Sequence, residues 1–125
     1  MGRIKQYIDI GEKKFWALFD TGARNTYLTK EVAANLQTFI MPDTNPVALG
    51  GKVHTLREDC RLLCKINGHQ IIDTAFVLDG IGIDEDGKPI EILIGALLMQ
   101  RWGIICVPEK ETIDMSHYPN EFVEF

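Results

Sequence analysis

An apolar pentapeptide, Phe15-Trp16-Ala17-Leu18-Phe19, runs directly into Asp20-Thr21-Gly22-Ala23, so a strand-like segment delivers a carboxylate to a loop that contains glycine. A carboxylate at the end of a buried strand must be paired, hydrogen-bonded or protonated, because an isolated buried charge is too costly to keep. Gly22 lets the backbone come close to a second chain or a ligand, and the Thr21 hydroxyl can satisfy backbone groups of the loop. Asp20 is therefore the first candidate for chemistry. On these residues alone an ordinary strand-to-turn transition, capped by Asp20 and Thr21, also accounts for the pattern. A second segment far downstream, Ile92-Leu93-Ile94-Gly95, is again an apolar strand ending on glycine.

The elements that must position these segments are short. Phe15 to Phe19, Leu62 to Ile66, Ile71 to Leu78, Ile90 to Ile94 and Ile104 to Val107 are apolar runs of strand length, most of them bounded by turn formers. Asn67-Gly68 and Asp86-Gly87 are hairpin signals, and Pro42 to Lys52 and Gly80 to Pro89 read as loops or hairpin tips. Many short strands with tight turns predict an all-β fold, a small closed β-barrel or sandwich, with one or two short helices. Thr29 to Leu36 offers two helical turns with Thr29 as N-cap. Ala96 to Trp102 is the better punctuated helix, followed by Gly103 where a left-handed C-cap is wanted. Leu98, Met99 and Trp102 fall at helical spacing and should face the strands.

DTGA after an apolar strand, then a short helix, then a late Ile-Leu-Ile-Gly before a second helix, resembles the retropepsin-like aspartic proteases over roughly Lys13 to Asp114. The resemblance implies a homodimer, a peptide or protein substrate and no cofactor or metal. It gives Asp20 the role of catalytic carboxylate, Thr21 that of locking two active-site loops across the dimer axis, and Gly22 and Ala23 places along the substrate backbone. Leu93, Ile94 and Gly95 would cross behind the catalytic loop and support it. A flap hairpin would fall on Val47 to Val53, with Leu49, Gly50 and Gly51 against substrate; locally this is also an ordinary hairpin turn. Phe122 to Phe125 or Ile4 to Ile10 are the candidates for interleaved terminal strands. A single DTG in 125 residues requires two copies to assemble a pair of carboxylates.

The sequence departs from the retroviral members in two places. Those members have an acidic residue just after DTGA and an arginine just after the late glycine, where this chain has Arg24 and Ala96. Arg24 is read either as a solvated surface residue or as a partner for a carboxylate of substrate or of the second subunit. Arg24, a small polar pair and Tyr27-Leu28 look more like the cellular and bacterial single-domain members.

Composition limits the rest. One domain spanning 1–125 is expected, since 125 residues leave no room for a second core. Thirteen basic and eighteen acidic residues give a net charge of −5, with the basic residues scattered along the chain, so nucleic acid is not an expected partner. The longest apolar run, Ile92 to Met99, is far short of the ~20 residues that cross a bilayer, so no membrane is expected. Cys60, Cys64 and Cys106 form neither a zinc pattern nor a disulfide framework. No signal segment opens the chain, and Gln6 spoils a myristoylation motif; a cytoplasmic location is expected. A start at Met1 weighs against a protease that only releases itself from a polyprotein. Asp84, Glu85 and Asp86 lack the spacing of a calcium loop and are read as a solvated hairpin tip, and His54, His69 and His117 join no motif.

The expectation is an aspartic endopeptidase with an Asp20/Asp20 dyad on a two-fold axis. Its rival is a catalytically silent dimeric module of the same fold that binds peptides or protein partners.

Overall fold

Gly11 and Glu12 form a two-residue turn that fixes the pairing of β1 (Arg3–Ile10) with β2 (Lys13–Asp20), from Ile10 opposite Lys13 out to Arg3 opposite Asp20. The structure, a computed structural model, describes residues 3–120. Side chains alternate along β2: Phe15, Ala17 and Phe19 enter the core, while Trp16, Leu18 and Asp20 occupy the opposite face. Cross-strand neighbours share a face, so Arg3, Lys5 and Tyr7 stand beside Asp20, Leu18 and Trp16.

The chain continues through β3 (Tyr27–Thr29) and α1 (Lys30–Ala33) into a long hairpin, β4 (Gln37–Leu49) and β5 (Lys52–Ile66), then β6 (His69–Leu78) and β7 (Ile92–Ile94). The sheet order is β1-β2-β7-β3-β6-β5-β4, and a further pairing of β1 with β5 at Asp9 and Lys65 closes six of the strands into a barrel. Helix α2 (Ala96–Trp102) and the small hairpin of β8 (Ile105–Val107) and β9 (Thr112–Asp114) complete the described residues. The core is filled by alternating residues such as Ile4 and Ile8 of β1, Cys60, Leu62, Cys64 and Ile66 of β5, and Leu98, Met99 and Trp102 of α2. The architecture is thus all-β with two short helices, as expected. No helix among the described residues is long and apolar enough to cross a membrane.

Several expectations require correction. Of Pro42 to Lys52, expected as a loop or hairpin tip, Gly50-Gly51 is the tip; Pro42 to Leu49 belong to β4, an edge strand where proline removes no ladder hydrogen bond that a neighbour needs, and Lys52 opens β5. Four residues, Met41 to Thr44, bulge opposite Arg57 alone and carry the irregularity. The helix expected over Thr29 to Leu36 shrinks to Lys30–Ala33: Thr29 stands at the expected N-cap position, without a side-chain hydrogen bond, and the shortening is at the C-terminal end. Asn35 and Leu36 then bond at the tighter i−3 spacing. Ile4 to Ile10 is a barrel strand paired along its length with β2 instead of a terminal arm, and Phe122 to Phe125 lies outside the described residues. Helix α2 and its left-handed Gly103 cap, and the Asn67-Gly68 turn between β5 and β6, stand where the sequence puts them.

Candidate active site

Strand β2 ends at Asp20 and β3 begins at Tyr27, and β7 lies between them, parallel to the first and antiparallel to the second. Ile92, Leu93 and Ile94 are consequently buried on both faces, as a fully apolar run should be. The loop from Thr21 to Thr26 must then cross over the end of β7, and the chain leaving β7 braces it. Gly95 N–H donates to Thr26 Oγ1 (3.1 Å), Ala96 N–H to the Ala23 carbonyl (2.7 Å) and Leu97 N–H to the Arg24 carbonyl (3.1 Å). These are the otherwise unsatisfied donors of the first turn of α2, so the loop itself caps the helix, which has no side-chain cap. A Cβ at Gly95 would lie 2.1 Å from the Asn25 carbonyl oxygen, so only glycine permits this approach.

On the outer side of the brace, Asp20 Oδ1 accepts the Gly22 N–H (2.9 Å), and the Ala23 N–H closes the turn onto the Asp20 carbonyl (3.1 Å). The other carboxylate oxygen, Oδ2, lies 3.5 Å from Arg3 Nε; the Asp20 side chain is 17% exposed and that of Arg3 61%. Thr21 and Gly22 are exposed and Ala23 is half-buried. The loop therefore holds its carboxylate rigidly and presents it outward. Cys106, on β8, has its thiol pushed up by burial and secondarily by the charge of Asp20, which places β8 near this carboxylate.

The β4/β5 hairpin tip is Gly50-Gly51, both with positive φ (56° and 78°). Below it a groove of about 670 Å³ runs between the hairpin and the Leu78 to Gly82 segment. Leu49 and Gly50 line this groove, whereas Gly51, Asp20, Thr21, Gly22 and Ala23 do not. Ala23 and Leu49 nevertheless pack on one apolar cluster built on Tyr27, Leu56, Leu78 and Leu93, so the Asp20 loop and the hairpin base share a floor.

A smaller cavity of about 320 Å³ lies beside Arg3 and Leu18, walled by Ile83, Asp84, Glu85 and Ile90. Its wall is the hairpin closed by the Ile83–Pro89 bridge. Lys5 pairs with Glu85, Trp16 Nε1 donates to Asp84 Oδ2 (2.9 Å), and Lys88 Nζ sits 3.9 Å from the Trp16 ring and 4.2 Å from that of Tyr7. The acidic run Asp84 to Asp86 is thus tied inward through two of its members, more than a solvated tip.

Sequence reading missed Arg3 and Thr26. The first was legible in the Gly11 turn, whose register sets Arg3 opposite Asp20; the second depends on a contact between residues 69 positions apart and left no local signal.

Among solved structures the chain is similar to the retroviral protease-like domain of Ddi1 from Leishmania major, at 15% identity and TM-score 0.64, covering 93% of this chain and 90% of that one. It is also similar to an inhibitor complex of EIAV protease, at 19% identity and TM-score 0.57, covering 81% of this chain and 88% of that one. No protein-family model and no curated protein matches the sequence. At these identities the likeness establishes the fold, that of the retroviral protease-like domains.

Proposed function

We propose that this chain, with its retroviral protease-like fold, is an aspartic endopeptidase completed by a second copy of itself. The observation that carries the reading is the braced loop: Asp20 sits on its outward side, held by the Gly22 N–H, while Gly95, Ala96 and Leu97 fix the loop from behind. Such rigidity at a carboxylate is what transition-state positioning requires. One chain supplies one such carboxylate, and a two-fold axis through the Thr21-Gly22 side of the loop supplies the other. Exposed apolar side chains, Leu97 of α2 and Ile105 of β8, lie on elements near the loop and suit burial against that second copy.

In the dimer two Asp20 carboxylates share one proton, since like charges so close do not both ionise. The ionised member takes a proton from a water as its oxygen attacks the scissile carbonyl. The protonated member gives its proton to the carbonyl oxygen, and collapse of the tetrahedral intermediate releases the amine as it is protonated. Thr21 is assigned to the loop-to-loop lock, Gly22 and Ala23 to the substrate backbone, and Leu49, Gly50 and Gly51 to a flap that closes over it.

The Arg3–Asp20 contact favours a second reading, because an ion-paired aspartate needs no shared proton. In that reading the chain is a silent dimeric module that binds peptides or protein partners. Mapping cuts in a complex peptide mixture from about pH 4 to 7, the range that brackets a carboxylate dyad, separates the two. Cuts made by the wild-type dimer and absent with Asp20→Asn are the expected result; none from a demonstrated dimer would transfer the conclusion to the binding module.

A further inference from the structure

The chain carries a net charge of −5, and its basic residues are scattered in sequence. Folding gathers several of them around the site. In the groove under the β4/β5 hairpin the ionised groups are Lys30, Lys52 and Arg57 against Glu58 and Asp79. Asp79 is already paired with Lys30 (2.7 Å), so its charge is committed. Lys52 and Arg57 have no ion pair among the described residues.

The smaller cavity sets Arg3 and Lys5 against Asp84 and Glu85. Its two acids are satisfied, Glu85 by Lys5 and Asp84 by the Trp16 indole and the backbone N–H groups of Asp86 and Lys88. Arg3 remains, and among the described residues its carboxylate contact is with Asp20, the residue assigned to catalysis. The guanidinium therefore lies within one side chain's reach of the scissile bond, on a wall that is otherwise apolar at Leu18, Ile83 and Ile90. Arg24, exposed on the catalytic loop, adds a further cation.

We infer that the substrate is an acidic peptide segment, selected by Arg3 through a Glu or Asp side chain close to the scissile bond and steered by Lys52 and Arg57 under the hairpin. The inference rests on the endopeptidase reading for its position in the reaction, and on charge complementarity for its chemistry. An Arg guanidinium offers a planar donor pair to a carboxylate, and a partly desolvated charge-assisted contact discriminates strongly against an uncharged isostere. With three basic against two acidic side chains, the groove under the hairpin is a more favourable approach for an acidic segment than the rest of a protein whose net charge is negative.

The test has two arms. Peptides taken from the wild-type cleavage map are synthesised with Glu or Gln at each position flanking the cut, and kcat/KM is measured for wild type, Arg3→Gln and Arg3→Glu. The expected result is a preference for Glu of about tenfold or more at one position, lost in Arg3→Gln, turned toward Lys in Arg3→Glu, and weakened by salt. Asp20-dependent cuts with no acidic preference, or a preference unmoved by either Arg3 variant, would overturn the inference and leave the endopeptidase reading standing. In the second arm Asp20→Asn protein is titrated with two fluorescein-labelled peptide pools, identical except for Glu in one and Gln in the other. Tighter binding of the Glu pool, abolished by adding Arg3→Glu, is expected. If that holds while no Asp20-dependent cut is found, the acidic selectivity stands and the catalytic reading falls. Equal binding of both pools overturns the selectivity.

Discussion

The loop that carries Asp20 and the β4/β5 hairpin are built on opposite physical plans. From Thr21 to Thr26 the loop is fixed by backbone donors from Gly95, Ala96 and Leu97, by a buried threonine hydroxyl and by a strand buried on both faces. From Gly50 to Val53 the hairpin is held by its ladder: Val53 is 70% exposed, and a Cβ at Gly50 or Gly51 would meet nothing within 4 Å. The difference teaches how one small barrel divides its labour. Bracing is concentrated on the loop that carries Asp20 and is withheld from the hairpin tip.

The largest expected effect comes from breaking the brace at its tightest point. Gly95→Ala drives a methyl group into the Asn25 carbonyl at 2.1 Å, a backbone atom that cannot swing aside. We expect a loss of about 3 kcal/mol or more in a urea titration, and loss of Asp20-dependent cleavage even under conditions where the variant remains folded. A Gly95→Ala protein with wild-type stability would mean that the loop is not clamped by this approach.

Thr26 tests the same brace more gently. Thr26→Val removes the hydroxyl that accepts the Gly95 N–H and leaves that donor buried, which costs about 1–3 kcal/mol. Thr26→Ser keeps the acceptor and gives up only a methyl group, about 1 kcal/mol. Both stability and cleavage should rank wild type, Ser, Val. Equal behaviour of Ser and Val would assign the effect to packing and remove the hydroxyl from the brace.

Gly51→Ala carries the comparison to the hairpin. At φ 78° an alanine is strained by about 1 kcal/mol, and it meets no neighbour. Global stability should fall by no more than that, whereas KM for a cleaved peptide should change and amide exchange at the tip should slow. If Gly51→Ala proved as destabilising as Thr26→Val, the hairpin would be part of the folded core and the contrast drawn above would collapse.

What was legible in the sequence divides along the same line. The strand into Asp20, the apolar strand before Gly95, helix α2 with its Gly103 cap and the Asn67-Gly68 turn all follow from local rules, and all occupy their expected places. The residues that complete the site do not follow from such rules. Thr26 acts on a residue 69 positions away, and Lys52, His54 and Arg57 share a groove with Asp79 only because β5 and β6 are paired. Pro42 and Pro46 spoke for a loop because local chemistry does not reveal that β4 is an edge strand. Nor does a single chain's pattern distinguish a helix of two turns from one cut short, as α1 is, where the chain tightens to the i−3 bonds of Asn35 and Leu36.

The smallest effect uses β5, which belongs to both regions: its first half forms the hairpin and its second half buries Cys60 and Cys64 on one face of the core. Burial pushes the Cys60 thiol up to about 11 and that of Cys64 to about 12, from 9.0. A folded-state value raised above the unfolded one means that stability is intact below pH 9 and declines as the pH climbs through the interval up to 11 and 12. At neutral pH both thiols stay protonated and shielded, so a thiol reagent should modify Cys106, the partly exposed one, and reach Cys60 and Cys64 only on unfolding. Mass spectrometry of native and urea-treated protein reads this directly. Modification of Cys60 before global unfolding would show that the looseness of the hairpin extends down β5 into the barrel, and that the brace around Asp20 is an island in a softer sheet.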